Sequence, residues 1–418
     1  MPSGITMPAS LWRKVDFKFK YGSRKRARFL TDVVGRFVKE ACIEFNSKCY
    51  VDVKDCLTLL QEFGRNGNME KLVLKPASFQ VSWPEHEVGR PFQKNMLDLY
   101  IEAIDDIIRN SRSLRQLSLG CIPEFIDHAD QIIQLLEERQ FSSLECLHIA
   151  SVKEDPDSYG LLDLSVHPFC GFKNLHTLSL DYDYLTSELL MQFINVKGKV
   201  PLEKLILHVH GLEPGREKIP NLLWDRMVKA NPDLAVTLSL VHSIDGCENL
   251  FDILRPAMPL VHFRMLFCQI LDVNCINFMS RYMSGRLESL CIMDGLDQGK
   301  PVDYESISDE DPFVMLAWKC PNLQHFTLIG YRISMENIVA IARLRGTQLK
   351  SFSIPNCCIS PFEEWEEKVA SSRLLSEVSI SLAQPWQPVP DEDLPLAVLD
   401  PFADAELAYL DLLLQDQA

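Results

Sequence analysis

Residues 260–271 read Leu-Val-His-Phe-Arg-Met-Leu-Phe-Cys-Gln-Ile-Leu, with apolar side chains at Leu260, Phe263 and Met265. Successive side chains of a β-strand point to opposite faces, so Phe263 and Met265 share one face while His262 and Arg264 share the other. A cysteine and a leucine follow at the ninth and twelfth positions of the segment, where the chain must turn out of the strand. The segment therefore predicts a short strand that is buried on one face and ends in a compact loop.

The apolar-x-x-apolar-x-apolar pattern of this segment recurs along most of the chain. Apolar residues at helical spacing lie between the copies, as in residues 132–136 and 338–342. The copies are separated by about 26 residues or more, and a spacing of 26 recurs from Leu323 to Leu349 and from Leu349 to Leu375. Their leading residues are Met69, Leu114, Leu144, Leu175, Leu202, Leu234, Leu260, Leu287, Leu323, Leu349 and Leu375.

A strand followed by a helix, repeated at this period, is typical of leucine-rich repeats. We therefore predict an α/β fold, a leucine-rich-repeat solenoid (horseshoe) with a concave parallel sheet and helices on the convex side. Upstream of the regular copies, Val15, Phe17 and Phe19 alternate as in a strand, and residues 29–41 have the pattern of an amphipathic helix. The predicted solenoid covers residues 11–382, irregular over 11–68 and regular over 69–382, after an unstructured N-terminus at 1–10.

Residues 383–418 form an acidic, proline-rich C-terminal tail. From residue 384 onward the tail has eight acidic residues, five prolines and no basic residue. Its proline-rich part should be extended, and residues 403–415 have the pattern of one short amphipathic helix with Leu407, Leu410, Leu413 and Leu414 on one face. Two interpretations stay open: the tail is loose or caps the repeats, or its helix docks into a groove of a partner.

Composition excludes several classes of function. The chain of 418 residues has a formal net charge of −16, which disfavours nonspecific binding to nucleic acid or to an anionic membrane surface. No apolar run is long enough for a membrane-spanning helix, and the 13 cysteines contain no Cys-x-x-Cys pair. We expect a cytoplasmic protein, with the nucleus as the alternative because the basic residues 24–28 are compatible with a nuclear-import signal.

The sequence contains no recognisable catalytic, cofactor-binding or metal-binding motif. It lacks a glycine-rich phosphate loop, a Gly-x-Ser-x-Gly motif and a His-Glu-x-x-His motif. His208 and His210 would project to the same side of a strand, but no third ligand lies near them in sequence. We therefore predict no enzyme activity, no cofactor and no metal.

The exposed positions of the predicted concave sheet are the candidate binding site for a protein partner. A rigid sheet holds such side chains in place, so that binding costs little ordering entropy. A second candidate is the insertion over residues 293–311, whose acidic residues would form a negative lip. The predicted partner-binding residues are Arg115, Glu145, His148, His176, Glu203, Lys204, His262, Arg264, Glu288, His325 and Lys350.

The repeats, together with the opening Leu11-Trp12-Arg-Lys-Val15-Asp-Phe17-Lys-Phe19, resemble the F-box/leucine-rich-repeat (F-box only) proteins. The resemblance covers residues 11–382. It implies a substrate-recognition subunit of a Skp1-cullin-F-box ubiquitin ligase, whose repeats bind the client protein and whose F-box binds Skp1. Residues 1–10 are too short to hold that helical F-box, so Skp1 and cullin are expected partners only if an F-box is supplied.

Two functions are therefore compatible with the sequence. The first is a non-catalytic client-binding module of such a ubiquitin ligase. The alternative is a stoichiometric inhibitor or scaffold that resembles the ribonuclease inhibitor and encloses a basic protein, as the acidic composition allows. Neither function requires contact with nucleic acid or with a membrane.

Overall fold

The computed structural model describes residues 12–20, 22–83, 95–153, 164–194, 198–212, 215–304, 310–360 and 367–417. Two compact units make up the chain. Residues 1–203 and 410–418 form the first unit, and residues 204–409 form the second. The predicted unstructured segment 1–10 lies outside the described residues, as do residues 305–309 of the predicted insertion 293–311.

The first unit contains parallel strands that pair in the order of the sequence, each followed by a helical segment. The strands are β1 Lys14–Phe19, β2 Glu40–Phe45, β3 Lys71–Pro76, β4 Gln116–Ser118, β5 Cys146–His148 and β6 Thr177–Asp181. The helices are α1 Arg24–Val34, α2 Tyr50–Asn66, α3 Met96–Asn110, α4 Ala129–Gln140 and α5 Ser187–Ile194.

The second unit repeats this arrangement, again with parallel strands that pair in sequence order, except that the two shortest strands, Ile333–Ser334 and Ile359–Ser360, pair with each other in a separate small sheet. Its strands are β7 Lys204–Val209, β8 Ala235–Val241, β9 Leu260–Leu266, β10 Ser289–Met293, β11 His325–Ile329, β12 Ile333–Ser334, β13 Ser351–Ser353 and β14 Ile359–Ser360. Its helices are α6 Asn221–Ala230, α7 Ile244–Glu248, α8 Leu250–Ile253, α9 Val273–Tyr282, α10 Pro312–Lys319, α11 Met335–Arg345, α12 Glu367–Leu382 and α13 Leu396–Leu399. A last helix, α14 Glu406–Gln415, begins in the second unit and ends in the first.

The repeating apolar residues form the core of each unit. In the first unit, Leu117 pairs with Leu147 in the neighbouring strand, and Phe17 of β1 packs on Phe63 of α2 with ring centroids 5.8 Å apart. In the second, Phe326 of β11 packs on Phe313 of α10 at 5.7 Å. One face of each sheet is therefore buried against helices, and the predicted α/β leucine-rich-repeat class is confirmed.

The compact turn after a strand requires unusual backbone angles. Gly330, directly after β11, has φ +93°, and a Cβ atom there would lie 2.6 Å from the carbonyl oxygen of Asp294. Only glycine combines that angle with so close an approach of two backbones. Phe267 and Gln269, which flank the buried Cys268 after β9, also have positive φ. The thiol thus fills the turn that the sequence assigned to it.

Two sequence predictions of local structure are wrong. The copy that begins at Leu375 is no strand, because Leu374, Val378 and Leu382 lie at i, i+4 and i+8 on the buried face of α12. The helix expected over residues 29–41 instead spans Arg24–Val34, and β2 begins at Glu40. Of the three residues in the predicted strand pattern only Val378 is buried, whereas Leu375 and Ile380 are exposed, so the pattern arose from a helix rich in apolar residues and not from a buried strand face.

Candidate protein-binding surface

A row of charged side chains crosses the first unit, each placed near the start of its strand. Arg13 Nη2 lies 2.7 Å from Glu70 Oε2, and Lys39 Nζ lies 2.7 Å from Glu70 Oε1. Further along the row, Arg115 donates two hydrogen bonds to Glu145, of 2.8 and 2.9 Å. Parallel register places the residues of successive strands in one row, so that opposite charges along the row attract each other.

Electrostatics within this row stabilises the charged forms. The hydrogen bond from Lys39, with that from Arg13, lowers the pKa of the Glu70 carboxyl. The bidentate contact with Glu145 raises the pKa of Arg115. His176 continues the row, with its Nδ1 3.9 Å from Glu203 Oε2. The charged side chains of the row are thus held in place by one another before any partner binds.

The predicted partner-binding residues differ in their accessibility. Arg115, Glu203, Lys204 and Lys350 are exposed, whereas His148 and Arg264 are buried. The half-buried ones are Glu145, His176, His262, Glu288 and His325. His325 Nδ1 lies 2.9 Å from Ser351 Oγ on the neighbouring strand, so part of its hydrogen-bonding capacity is used within the fold. The exposed residues are the ones that a partner reaches without rearrangement.

The first unit also contains a buried polar cluster at the ends of β5 and β6. Asp181 accepts hydrogen bonds from the backbone N–H and the hydroxyl of Ser151, at 2.7 and 2.6 Å. Lys153 Nζ lies 3.8 Å from Asp181 Oδ2, and both side chains are buried. The sequence did not predict this cluster, because Ser151 and Asp181 are 30 residues apart in the chain. The available signal was a lysine, Lys153, five residues after the end of β5.

A comparable carboxylate lies in the second unit, after β10. Asp294 accepts a hydrogen bond of 2.6 Å from the Tyr331 hydroxyl and one of 2.9 Å from the Gln269 backbone N–H. Burial raises the pKa of the Asp294 carboxyl to about 6, although both hydrogen bonds favour the ionised form. The carboxylate ties the turns after β9 and β11 to the end of β10.

Part of the C-terminal tail lies against the second unit. Trp386 Nε1 donates a 2.8 Å hydrogen bond to the Phe352 carbonyl, and the Val389 N–H donates one of 2.9 Å to Ile354. Further on, the Leu296 N–H donates to the Val398 carbonyl at 2.8 Å. Of the two interpretations left open for the tail, these contacts favour the one in which it covers the repeats.

The helix α14 continues these contacts. In the second unit, the Tyr409 hydroxyl lies 2.9 Å from His242 Nε2, and the Tyr409 ring packs on the Phe267 ring with centroids 6.1 Å apart. In the first unit, Gln417 accepts a 2.6 Å hydrogen bond from Ser118 Oγ and a 2.9 Å bond from Gln116 Nε2. The sequence predicted a helix over residues 403–415 with Leu407, Leu410, Leu413 and Leu414 on one face. The helix spans Glu406–Gln415, and Leu413 and Leu414 are buried, whereas Leu410 is half-buried and Leu407 is exposed.

The predicted negative lip is in part engaged within the fold. Glu305 and Asp309 lie outside the described residues. Asp303 forms an ion pair of 2.7 Å with Arg332, and Asp311 caps α10 while it accepts hydrogen bonds from Tyr304 and Asn337.

His208 and His210 are buried, with ring centroids 6.4 Å apart. Within the described residues, no helix is both long and apolar enough to cross a membrane.

Comparisons with known proteins bear on the resemblance. No family model matches the chain. F-box only protein 33 from Homo sapiens is 28% identical over 299 residues, which are 69% of this chain and 52% of the relative. The Mus musculus protein of the same name is 28% identical over 301 residues, with the same coverage of 69% and 52%. The chain therefore spans about half the length of the curated relatives that it matches.

One similar solved structure is a chain of the TLR13-ssRNA13 complex. The match has a TM-score of 0.31 and 13% sequence identity, and it covers 82% of this chain and 47% of the TLR13 chain. The resemblance to F-box only proteins is supported by the sequence relatives and not by this structure. The chain is similar to F-box only proteins, and the resemblance predicted from its repeats is confirmed.

Proposed function

We propose that this chain is the client-binding module of a Skp1-cullin-F-box ubiquitin ligase, and that it acts by binding protein rather than by catalysis. The observation that carries the proposal is the 28% identity to F-box only protein 33 over 69% of the chain. The parallel strand-helix repeats support it, because such arrays present extended, rigid surfaces. The proposed location is the cytoplasm, with the nucleus as the alternative, and the proposed partners include neither nucleic acid nor membrane.

The exposed charged residues of the sheets suit protein recognition. Arg115 and Glu145 are ordered by each other, but an ion pair on the surface is worth only about 0.2–1 kcal/mol. A client that offers competing charges therefore breaks the pair at little cost. Lys204 and Lys350 are exposed on strand-start positions of the second unit and are available to acidic groups of a client. The remaining predicted residues complete the proposed surface, including the buried His148 and Arg264, which contribute only if the surface rearranges.

Affinity purification of the tagged chain, with an F-box joined to its N-terminus to supply Skp1 binding, from cells treated with a proteasome inhibitor tests this function. We expect Skp1, a cullin and at least one ubiquitinated client to be recovered together. The double variant Lys204→Glu/Lys350→Glu should lose the client but keep Skp1, because only the proposed client surface is changed. The matched control is Lys54→Glu, since Lys54 is also exposed but lies on helix α2.

Two results would overturn the proposal. One is the recovery of neither Skp1, cullin nor any ubiquitinated protein above the background of an untagged control. The other is a client whose recovery falls equally in the Lys54→Glu control. Circular dichroism of each purified variant establishes that its fold is intact before the recoveries are compared.

A further inference from the structure

The C-terminal tail exposes an apolar patch of three residues, Leu396, Leu399 and Phe402. Their exposed fractions are 66%, 41% and 96%. Leu396 and Leu399 lie one helical turn apart in α13, and Phe402 follows three residues later. Large apolar side chains that cluster on a surface mark sites of interaction more often than isolated ones do. We call these three residues the tail patch.

The backbone beneath the tail patch is fixed. The Val398 carbonyl accepts a hydrogen bond from the Leu296 N–H at 2.8 Å, and the side chains of Ala397 and Val398 are buried. The Phe402 N–H donates to Asp400 Oδ1 at 3.0 Å. Because these contacts hold the segment in place, binding through the tail patch costs little conformational entropy.

The surroundings of the tail patch are acidic. Glu392 and Asp393 are exposed before it, and Asp404 is exposed after it. No basic residue occurs between residues 384 and 418. A partner that buries the tail patch must therefore offer apolar side chains flanked by positive charge.

This chain carries a surface with that chemistry on helix α1 and the turn after it. Phe29, Val33 and Phe37 follow each other at intervals of four residues and are 63%, 46% and 38% exposed. We call them the α1 strip. Residues four apart lie on one face of a helix, so Phe29 and Val33 form a continuous apolar surface, and Phe37 extends it.

The charge beside the α1 strip is net positive, although one exposed carboxylate, Asp32, lies next to Val33. Lys25, Arg26 and Arg36 are exposed, and the Arg36 guanidinium lies over the Phe37 ring at 4.6 Å from its centroid. Arg24 and Arg28, by contrast, are bound by Asp52 and Asp55 of α2.

We propose that the tail patch of one copy of this chain binds the α1 strip of a second copy. Each surface offers three apolar side chains, and the charges around the two surfaces are opposite. Each copy carries both surfaces, so the contact either closes as a dimer or continues along a series of copies. Both forms raise the mass above the 47.8 kDa of a single chain.

Sedimentation equilibrium of the purified full chain, over roughly 1 to 200 µM at low salt, tests the proposal. We expect a mass that rises with concentration and falls when sodium chloride is added, because the flanking charges are screened. Phe402→Ser and Phe29→Ser should each weaken the association about tenfold or more, as expected for buried aromatic anchors. The matched control is Leu222→Ser on α6, where the leucine is 69% exposed but lies in neither surface.

A charge exchange separates this contact from a general loss of folding. Lys25→Glu/Arg26→Glu in one protein and Glu392→Lys/Asp393→Lys in another should each weaken self-association. An equimolar mixture of the two proteins should associate again, because the reversed charges complement each other. A single-chain mass at every concentration, association that is insensitive to both serine variants, or a mixture that fails to associate would each overturn the proposal.

Discussion

At the scale of single residues, Asp294 shows how a buried carboxylate is tolerated at a strand end. Burial raises its pKa to about 6, while hydrogen bonds from the Tyr331 hydroxyl and the Gln269 N–H stabilise the ionised form. A folded-state pKa above the unfolded value of about 3.9 means that the folded chain holds the proton more tightly. Stability is therefore expected to fall as pH rises through the interval between the two pKa values.

Tyr331→Phe removes one of these donors and should raise the Asp294 pKa further. We expect the free energy of unfolding to drop by about 1–3 kcal/mol near pH 7.5, where the carboxylate is ionised. The loss should be smaller near pH 5, because the protonated carboxyl depends less on the donor. Urea unfolding at both pH values measures the difference, with the exposed Tyr50→Phe as the control. Equal losses at the two pH values would contradict this account.

At the scale of elements, helix α14 distinguishes a tail that is packed from one that is loose. Leu413 is fully buried, whereas Leu407 is 70% exposed. Leu413→Ala should therefore destabilise the protein by about 2–4 kcal/mol through lost burial and the cavity that remains. Leu407→Ala should change stability by less than about 0.5 kcal/mol. Thermal unfolding compares the pair, and hydrogen exchange of residues 404–417 should quicken only in Leu413→Ala; similar effects of the two substitutions would show that the helix is loose.

The predictable part of the fold is the part that repeats. Each strand places leucines at fixed intervals because one face must be buried, so that copies such as those at Leu117 and Leu147 could be recognised and aligned. The sequence pattern of the tail, by contrast, does not recur elsewhere in the repeats and could not be aligned with them. Its leucines indicated a helix, but which of them are buried depends on contacts with residues such as Ser118 and His242, nearly 300 and about 170 positions away in the chain.

The candidate site was predictable only in its residue types. Alternation along a strand indicated which side chains leave the core, and Arg115, Lys204 and Lys350 are exposed as expected. Burial of His148 and Arg264 was not readable, because a position that faces away from the core of its own repeat can still be covered by distant segments. Arg115 and Glu145 each follow the leading leucine of their copy, so the parallel strands place them side by side, but the contact itself depends on side-chain conformations that a sequence pattern does not give.

At the scale of the whole molecule, the 13 cysteines should react in an order set by burial. Cys170 is exposed, whereas burial raises the pKa of Cys56 and Cys320 to about 12. Only the thiolate is nucleophilic, so near pH 7.5 these buried thiols should react several orders of magnitude more slowly than an accessible one. Timed alkylation with mass spectrometry should show one fast site, absent from Cys170→Ser and retained in Cys320→Ser, and all thiols should react in urea. A fast site that persists in Cys170→Ser would show that another cysteine is accessible in the folded chain.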